Sequence, residues 1–551
     1  MYVFREGRRS VSSAELRRTL LGCLQSLATA TNGPTGSSVL METLLRAGEF
    51  ECALADCGHP QQHAVAAITD EIASQLLPHK TPDYSRLSAS LSSLSLPVWL
   101  TISVPEGFAY YALHPQQYAD LAEGLPLQGP RVVVVGIRSI GTTLSAVVMA
   151  ALRNRGLLAE RMTVRPEGHP FDRVVRFTAA HVGWVKHNQA ADFLVVDEGP
   201  GLSGSSFLST GEALADLGVA HERITFLCAH QPDFGQLCSR SAAARAEKFR
   251  WREVPSANHL PHGAEVFIGA GGWRERFIGN NSEWPASWTN MERAKFLSGD
   301  GAELYKFEGL GHYGAAVRKR AGLLADAGFS PKLGAQDDTG FVRYRVYRGQ
   351  KLAANAISET AVEVIARYCA LRADAFAVVD TEHCEKNQAD LEMMVRTNLT
   401  EEFGSDPRQA PASLHLVRPV VADGRMQPWE WIVADGRLVK FDGASHGDDH
   451  FFPGPTDIAW DLAGAIVEFS VSGVDQSAIA PALLDRYRRF TGDDAGPRLP
   501  GYLLAYSAFR LGYCKMAANA MRGSSEEPRL QQQYLKYRDF VTRLLARREA
   551  A

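Results

Sequence analysis

The sequence predicts a multidomain α/β and α+β protein: a helical N-terminal region, a parallel sheet with flanking helices, and a C-terminal bilobal domain. Three observations carry this. Leu16, Leu20, Leu24 and Leu27 recur at helical spacing near the N-terminus. Two strand, loop, helix units with glycine-rich loops begin at Arg131 and Ala191. From Glu292 the pattern changes to a hairpin, with its turn at Gly299–Gly301, followed by a long, mainly helical stretch. A chain of 551 residues has room for two to four domains. The expected boundaries are a helical region at 1–95, the parallel-sheet domain at 96–245, a tryptophan-rich junction at 246–290, and a C-terminal domain at 291–551, its lobes dividing near 350.

Composition narrows the function classes. A hydrophobic content of 45% and a charged content of 22% are ordinary for a globular protein. A net charge of −4 predicts no general affinity for nucleic acid or anionic membrane. The eight cysteines are scattered without zinc spacing, which points to free thiols in a reducing compartment. No signal-peptide pattern or long apolar run occurs, so a cytoplasmic location is expected.

In chain order, Ser12 or Ser13 can cap a first helix, and further helical stretches run over 38–55 and 63–77. No chemistry is apparent there. Residues 80–95, rich in Ser and Leu between Pro82 and Pro97, read as a linker. Trp99–Val104 alternate as a strand and Phe108–Leu113 as another; Tyr110, Tyr111 and Tyr118 suit either a pocket or a core. The first strand, loop, helix unit is RVVVV (131–135), the loop Gly136, Ile137, Arg138, Ser139, Ile140, Gly141, and a helix over 142–156. A basic, Pro/Gly-rich segment at 163–177 carries Arg165, His169 and Arg173. In the second unit, Phe193–Val196 deliver Asp197 and Glu198 onto a loop ending in Ser203, Gly204, Ser205 and Ser206. Small residues let backbone N–H groups approach a phosphate at a helix N-terminus, and an acidic pair can accept bonds from two sugar hydroxyls.

This arrangement resembles the motif by which type I phosphoribosyltransferases bind phosphoribosyl pyrophosphate (PRPP), although the loop here is one residue longer. The resemblance implies that Asp197 and Glu198 hold the ribose hydroxyls and that Ser203, Gly204, Ser205 and Ser206 hold the 5′-phosphate. Gly136, Arg138, Ser139 and Gly141 would then grip the pyrophosphate with Mg²⁺. The segment holding Arg165 and His169 would close over the reaction.

In the C-terminal region, Lys306 lies on a strand before a helix, and Val439, Lys440, Phe441 and Asp442 end a short hairpin. Thr456, Asp457, Ile458, Ala459, Trp460, Asp461, Leu462 and Ala463 then open a helix. This stretch resembles the C-lobe of the aminoglycoside phosphotransferase and choline kinase group, which have a protein-kinase-like fold. The resemblance implies that Lys306 meets the phosphates of ATP, that Asp442 holds Mg²⁺, and that Asp461 braces the catalytic-loop backbone. The group's His-Gly-Asp loop with a following Asn is absent. Asp423 as catalytic residue, with Gln427 as second metal ligand, is the nearest substitute, and the helix after Lys306 carries no glutamate to pair with it. The His-Gly-Asp at 446–448 lies after Asp442 and reads as a decoy; His446, Asp448, Asp449 and His450 could bind a metal, but 446–450 reads rather as a solvated polar loop.

Together these imply a bifunctional transferase using PRPP, ATP and Mg²⁺ on small-molecule substrates, with a homodimer left open. The alternative is a nucleotide- or PRPP-binding sensor or assembly protein with a degenerate kinase-like domain. Phosphoribosyl hydrolysis or phosphorolysis on the same scaffold is a third reading.

Overall fold

The structure, a computed structural model, describes residues 1–30, 34–77, 82–255, 259–335, 339–352, 357–404 and 414–550. Strand β1 (Arg8–Ser12) pairs antiparallel with β2 (Trp99–Ser103). Between them lie helices α1 (Ser13–Thr29), α2 (Pro34–Asp56), α3 (Gln62–Ala73) and α4 (Tyr84–Ser92). The leucine stripe of α1 joins Leu44, Leu45 and Phe50 of α2 in one core with the parallel sheet, so this region is a layer of the central unit. The stretch read as a linker is α4: Asp83 caps it by accepting from the Arg86 N–H at 3.0 Å, and Leu87 and Leu91, four apart, supply the buried stripe. Phe108–Leu113, read as a strand, opens instead in the short helix α5 (Glu106–Ala109), because Pro105 starts a turn whose Phe108 and Ala109 N–H groups return to its carbonyl.

After α6 (Pro115–Gly124) come β3 (Arg131–Ile137), α7 (Ile140–Asn154), β4 (Leu158–Val164), the hairpin β5 (Glu167–His169) and β6 (Asp172–Val174), and α8 (Ala179–His187). Then follow β7 (Asp192–Val196), α9 (Ser205–Asp216), β8 (Ile224–Cys228), α10 (Ala242–Ala246) and β9 (Arg250–Glu253). The five-stranded sheet is parallel throughout, in the order β4-β3-β7-β8-β9. Helices cover both faces, which is why β3 and β7 are continuous apolar runs. β9 extends this unit past the expected boundary at 245; only Trp251 of its four residues is buried, so it lacks the signature of a sheet strand.

The second unit also begins earlier than expected. β10 (Val266–Phe267), inside the segment read as a junction, pairs with β11 (Lys295–Leu297), and after α11 (Trp273–Phe277) the antiparallel order is β10-β11-β12-β13, with β12 (Glu303–Phe307) and β13 (Phe341–Arg345). Helix α12 (His312–Asp326) follows β12. The second lobe holds β14 (Gln350–Lys351), α13 (Glu359–Ala375), α14 (Thr381–Phe403), β15 (Pro419–Val421), the hairpin β16 (Trp431–Ala434) and β17 (Arg437–Lys440), β18 (Pro455–Asp457), α15 (Ala459–Val471), α16 (Gln476–Thr491), α17 (Leu499–Ala520) and α18 (Glu527–Ala550). α15 is buried from Ala459 to Phe469, the centre around which the other helices close. Trp288 of the junction is buried against Phe451 and Tyr513, worth about 2 kcal/mol or more by apolar burial. The first residues of the chain belong here too: Phe4 bridges Phe451, and Arg5 donates to the Asp449 carbonyl. Among the described residues no helix is long and apolar enough to cross a membrane.

α2 fastens the layers together. Arg161 of β4 meets the Glu51 carboxylate with two bonds of 2.7 and 2.8 Å and also bonds Asp70, with the Arg161 and Glu51 side chains 4% exposed. Glu42 caps α12 by accepting from the His312 N–H at 2.8 Å. Removing Arg161 would leave buried carboxylates unpaired. Arg161→Ala is therefore expected to destabilise the central unit by about 3–5 kcal/mol, read by chemical denaturation; a change under ~1 kcal/mol would mean the cluster is not what holds α2 down.

Candidate functional site

Two chemistry-bearing regions emerge, one at the C-terminal ends of the parallel strands and one between the lobes of the second unit. In the first, β7 ends by presenting Asp197 and Glu198. Glu198 Oε2 accepts from the Gly107 N–H at 2.7 Å, and the Tyr118 hydroxyl donates to the Asp197 carbonyl at 2.6 Å. Burial pushes the Asp197 carboxyl up to about 7, and burial with the charges of Glu106 and Asp197 raises Glu198 well above the carboxylate range.

The glycines and serines expected to hold phosphates have explicable positions. A Cβ on Gly136 would lie 2.2 Å from the Gly141 carbonyl oxygen, and one on Gly141 2.5 Å from that of Val196. These two glycines let the start of α7 sit directly on the strand ends. Ser139, between them, has φ 103° and ψ −112°, a conformation costly for any residue with a Cβ. Ser203 and Ser205, at the start of α9, both donate to the Pro170 carbonyl, at 2.7 and 2.6 Å. The tip of the β5–β6 hairpin therefore stands on the serine loop with Gly204 and Ser206 beside it, and His169 is exposed on that hairpin.

The arginines meet at the end of α2. Arg138 donates to the Ala55 carbonyl at 3.0 Å and to Thr163 Oγ1 at 3.1 Å. Arg165 donates to Asp56 Oδ1 at 3.0 Å and to the Arg138 carbonyl at 2.8 Å. The positive charges of Arg165 and Arg173 act on Asp197 and partly offset its burial. Asp56, Glu106 and Gly107 were not identified from sequence. Asp56 lies in a region without a motif, and its only signal is an acidic residue at a helix end, where the helix dipole disfavours it.

The second region is a cavity of about 640 Å³ between the β-rich lobe and the helical lobe. Lys306 reaches into it from β12, bonded to the Asp442 carboxylate and the Ser445 hydroxyl (2.8 Å) and 3.0 Å from Glu308 Oε1. Glu308, immediately past the end of β12, gives Lys306 a carboxylate neighbour. Asp442 follows β17 by two residues, with φ 63°. His446 Nε2 lies 3.1 Å from Asp442 Oδ2, and His446 Nδ1 lies 3.3 Å from Asp449 Oδ2. Burial alone would raise both carboxyls. Lys306, His446 and Lys295 hold Asp442 well below the carboxylate range, and His446, His450 and Arg293 hold Asp449 at about 2. The segment 446–450, read as solvated, is thus largely buried cleft wall: Arg5, Arg293, Tyr110 and Tyr111, all distant in sequence, cover it.

Beneath the cleft, Asp461 accepts from the Asp423 N–H (3.0 and 2.9 Å) and the Gly424 N–H (3.3 Å), with Arg372 Nε 3.3 Å away. Asp423, expected as the catalytic residue, is turned away from the cavity. Its carboxylate takes the Tyr368 hydroxyl and the Arg425 N–H (3.2 Å), with Lys440 Nζ at 3.4 Å, and it is fully buried. Lys440 and Tyr368 are the physical reason: a carboxylate is better satisfied there than in open solvent geometry. Gln427 does line the cavity, and its buried Oε1 has no hydrogen-bond partner. Asp442 and the Gln427 oxygen are hard donors of the kind Mg²⁺ accepts alongside phosphates. Among the described residues no group of three or more His, Cys, Asp or Glu could hold a metal alone.

No family model and no curated protein matches the chain. Among solved structures, the chain is similar to a choline kinase, LicA, from Streptococcus pneumoniae (16% identity, 46% of this chain and 89% of that one, TM-score 0.32). It is also similar to an ethanolamine kinase from Plasmodium vivax (10% identity, 44% and 77%, TM-score 0.30). A third is an aminoglycoside phosphotransferase from Alicyclobacillus acidocaldarius (13% identity, 55% and 99%, TM-score 0.26).

The raised Asp197 and Glu198 make a signed prediction. A carboxyl whose folded pKa lies above its unfolded value favours the fold below the unfolded pKa and loses that contribution as pH rises through the folded value. The thermal midpoint should fall as pH rises from 5 to 8, and Asp197→Asn with Glu198→Gln should flatten the decline. An equal slope in the double variant would contradict the assignment.

Proposed function

We propose that the chain is a bifunctional transferase, its C-terminal half moving a phosphoryl group from ATP to a small hydroxylated molecule and its central unit moving ribose 5-phosphate from PRPP. The observation that carries the first part is the meeting of Lys306 and Asp442 in a cleft of about 640 Å³, a volume suited to a nucleotide and a small acceptor. Lys306 would release Asp442 to take phosphate charge, while Ser445 and Glu308 keep its ammonium aimed into the cleft. Asp442 and Gln427 would hold Mg²⁺, whose contribution is to neutralise phosphate charge. Asp461 fixes the 423–424 backbone from below, so that the residues following it keep their place on the cleft wall. Positioning and charge stabilisation supply most of the acceleration in phosphoryl transfer.

In the central unit, Asp197 and Glu198 would take the ribose hydroxyls. Ser203 and Ser205 would take the 5′-phosphate once the Pro170 carbonyl withdraws, and Arg138, Arg165 and Arg173 would face the pyrophosphate. The buried, turned-away Asp423 favours one second reading, a domain that binds ATP without transferring its phosphate.

Both parts are testable on the full chain. Lys306→Ala and Asp442→Asn should each lower ATP-dependent ADP formation by about 10²–10³; unchanged turnover would remove the kinase assignment, and tight ATP binding with no ADP formed in the wild type would support the binding-only reading. Asp197→Asn with Glu198→Gln should abolish pyrophosphate release from PRPP while leaving the circular dichroism spectrum intact; unaltered release would remove the phosphoribosyl assignment.

A further inference from the structure

We propose that the cleft of the C-terminal half is built for an acceptor that itself carries an anionic group, a phosphate monoester or a carboxylate, received by Arg425. The proposal rests on the phosphotransfer reading and names its substrate class. Arg425 follows the backbone pinned by Asp461 and lies on the cavity wall, its guanidinium 6.0 Å from the Tyr513 ring centroid. Among the described residues, no carboxylate comes within ion-pair distance of it, although every other deep cation of this wall has one. Lys306 has Glu308 and Asp442, Arg293 has Glu308, and Arg510 has Glu468. Burial disfavours its charged form, and the Tyr513 ring together with the carboxylates of Glu430, Asp442 and Asp449 offsets this without an ion pair. A guanidinium on the cavity wall with no carboxylate paired to it is available to a ligand anion, and its planar fork fits two oxygens of a phosphate or carboxylate.

Arg425 and Lys306 stand on different lobes of the cleft. Lys306 comes from the β-rich lobe. Arg425 instead borders a small recess under the cavity, shared with His446, Asp449, Phe452, Phe509 and Tyr513, all of the helical lobe. The whole wall carries nine Lys or Arg against six Asp or Glu, so a nucleotide with its metal leaves positive charge over, which opposes a cationic acceptor. In the transfer, an acceptor hydroxyl oxygen bonds the γ-phosphorus as the bond to the β,γ-bridging oxygen breaks. The electron pair leaves with ADP, and the hydroxyl proton is given up to water in the open cleft. A product of phosphoribosyl transfer carries a 5′-phosphate and belongs to the class of acceptor this geometry fits.

The experiment is calorimetric titration of the full chain, saturated with Mg²⁺ and a non-hydrolysable ATP analogue, using ribose 5-phosphate, glycerate and choline. Ribose 5-phosphate or glycerate should bind, and choline should not; which anion binds tells phosphate from carboxylate recognition. Arg425→Ala should weaken that binding by about tenfold or more, and Arg425→Lys should recover part of it. Choline binding in preference, no binding of either anion, or equal binding by Arg425→Ala would overturn the proposal. Because the analogue is titrated first, failure of the nucleotide itself to bind the wild type is seen separately and counts against the phosphotransfer reading.

Discussion

The ion pair between Lys306 and Asp442 is the constraint on which the C-terminal half depends. The two residues come from different lobes, one from an antiparallel strand and one from just past a hairpin about 136 residues later, and they meet on the cavity wall with their side chains 5% and 17% exposed. A buried charge without its partner costs several kcal/mol, so neither lobe can drift without exposing or orphaning one of them. Everything around the pair holds it at a spacing that leaves a cavity. Ser445 and Glu308 fix the lysine, and His446 links Asp442 to Asp449. This network is strained in function rather than in geometry: a polyanion entering the cleft competes with Asp442 for the same ammonium.

The same logic joins the two halves. Helix α2 supplies Asp56 to Arg165, the Ala55 carbonyl to Arg138, Glu51 to Arg161 and Glu42 to the N-terminus of α12. The segment 106–111 is a second connection. Its Gly107 N–H bonds Glu198, its Ala109 carbonyl accepts from Arg293, and its Tyr111 hydroxyl lies 3.2 Å from His450 Nε2. The acidic pair of the parallel sheet and the cleft of the second unit thus rest on one short piece of backbone, and Tyr110 of that piece is part of the cleft wall.

Much of this was legible in the sequence where chemistry is local. The apolar runs of β3 and β7, the loops after them, the hairpin ending at Asp442 and the buried start of α15 are each written in a few adjacent residues. What was hidden is non-local. The segment 446–450 reads as polar and solvated because the groups that cover it, Arg5, Tyr110 and Tyr111, lie far away in the chain. The direction of the Asp423 carboxylate is set by Tyr368 and Lys440, and no spacing rule reports a side chain's rotamer. α4 and β9 were missed because serine-rich and alternately charged stretches show little apolar pattern even when Leu87, Leu91 and Trp251 are buried. Gly136 and Gly141, read as ligand-binding, are also required by the close approach of backbone at the start of α7.

The most direct test of the central claim is a titration of ATP into the full chain with and without Mg²⁺, followed by the same titration into Asp442→Asn. The account predicts binding that strengthens with Mg²⁺ in the wild type and loses that Mg²⁺ dependence in the variant. Binding with equal Mg²⁺ dependence in both proteins, or no binding at millimolar ATP, would contradict it.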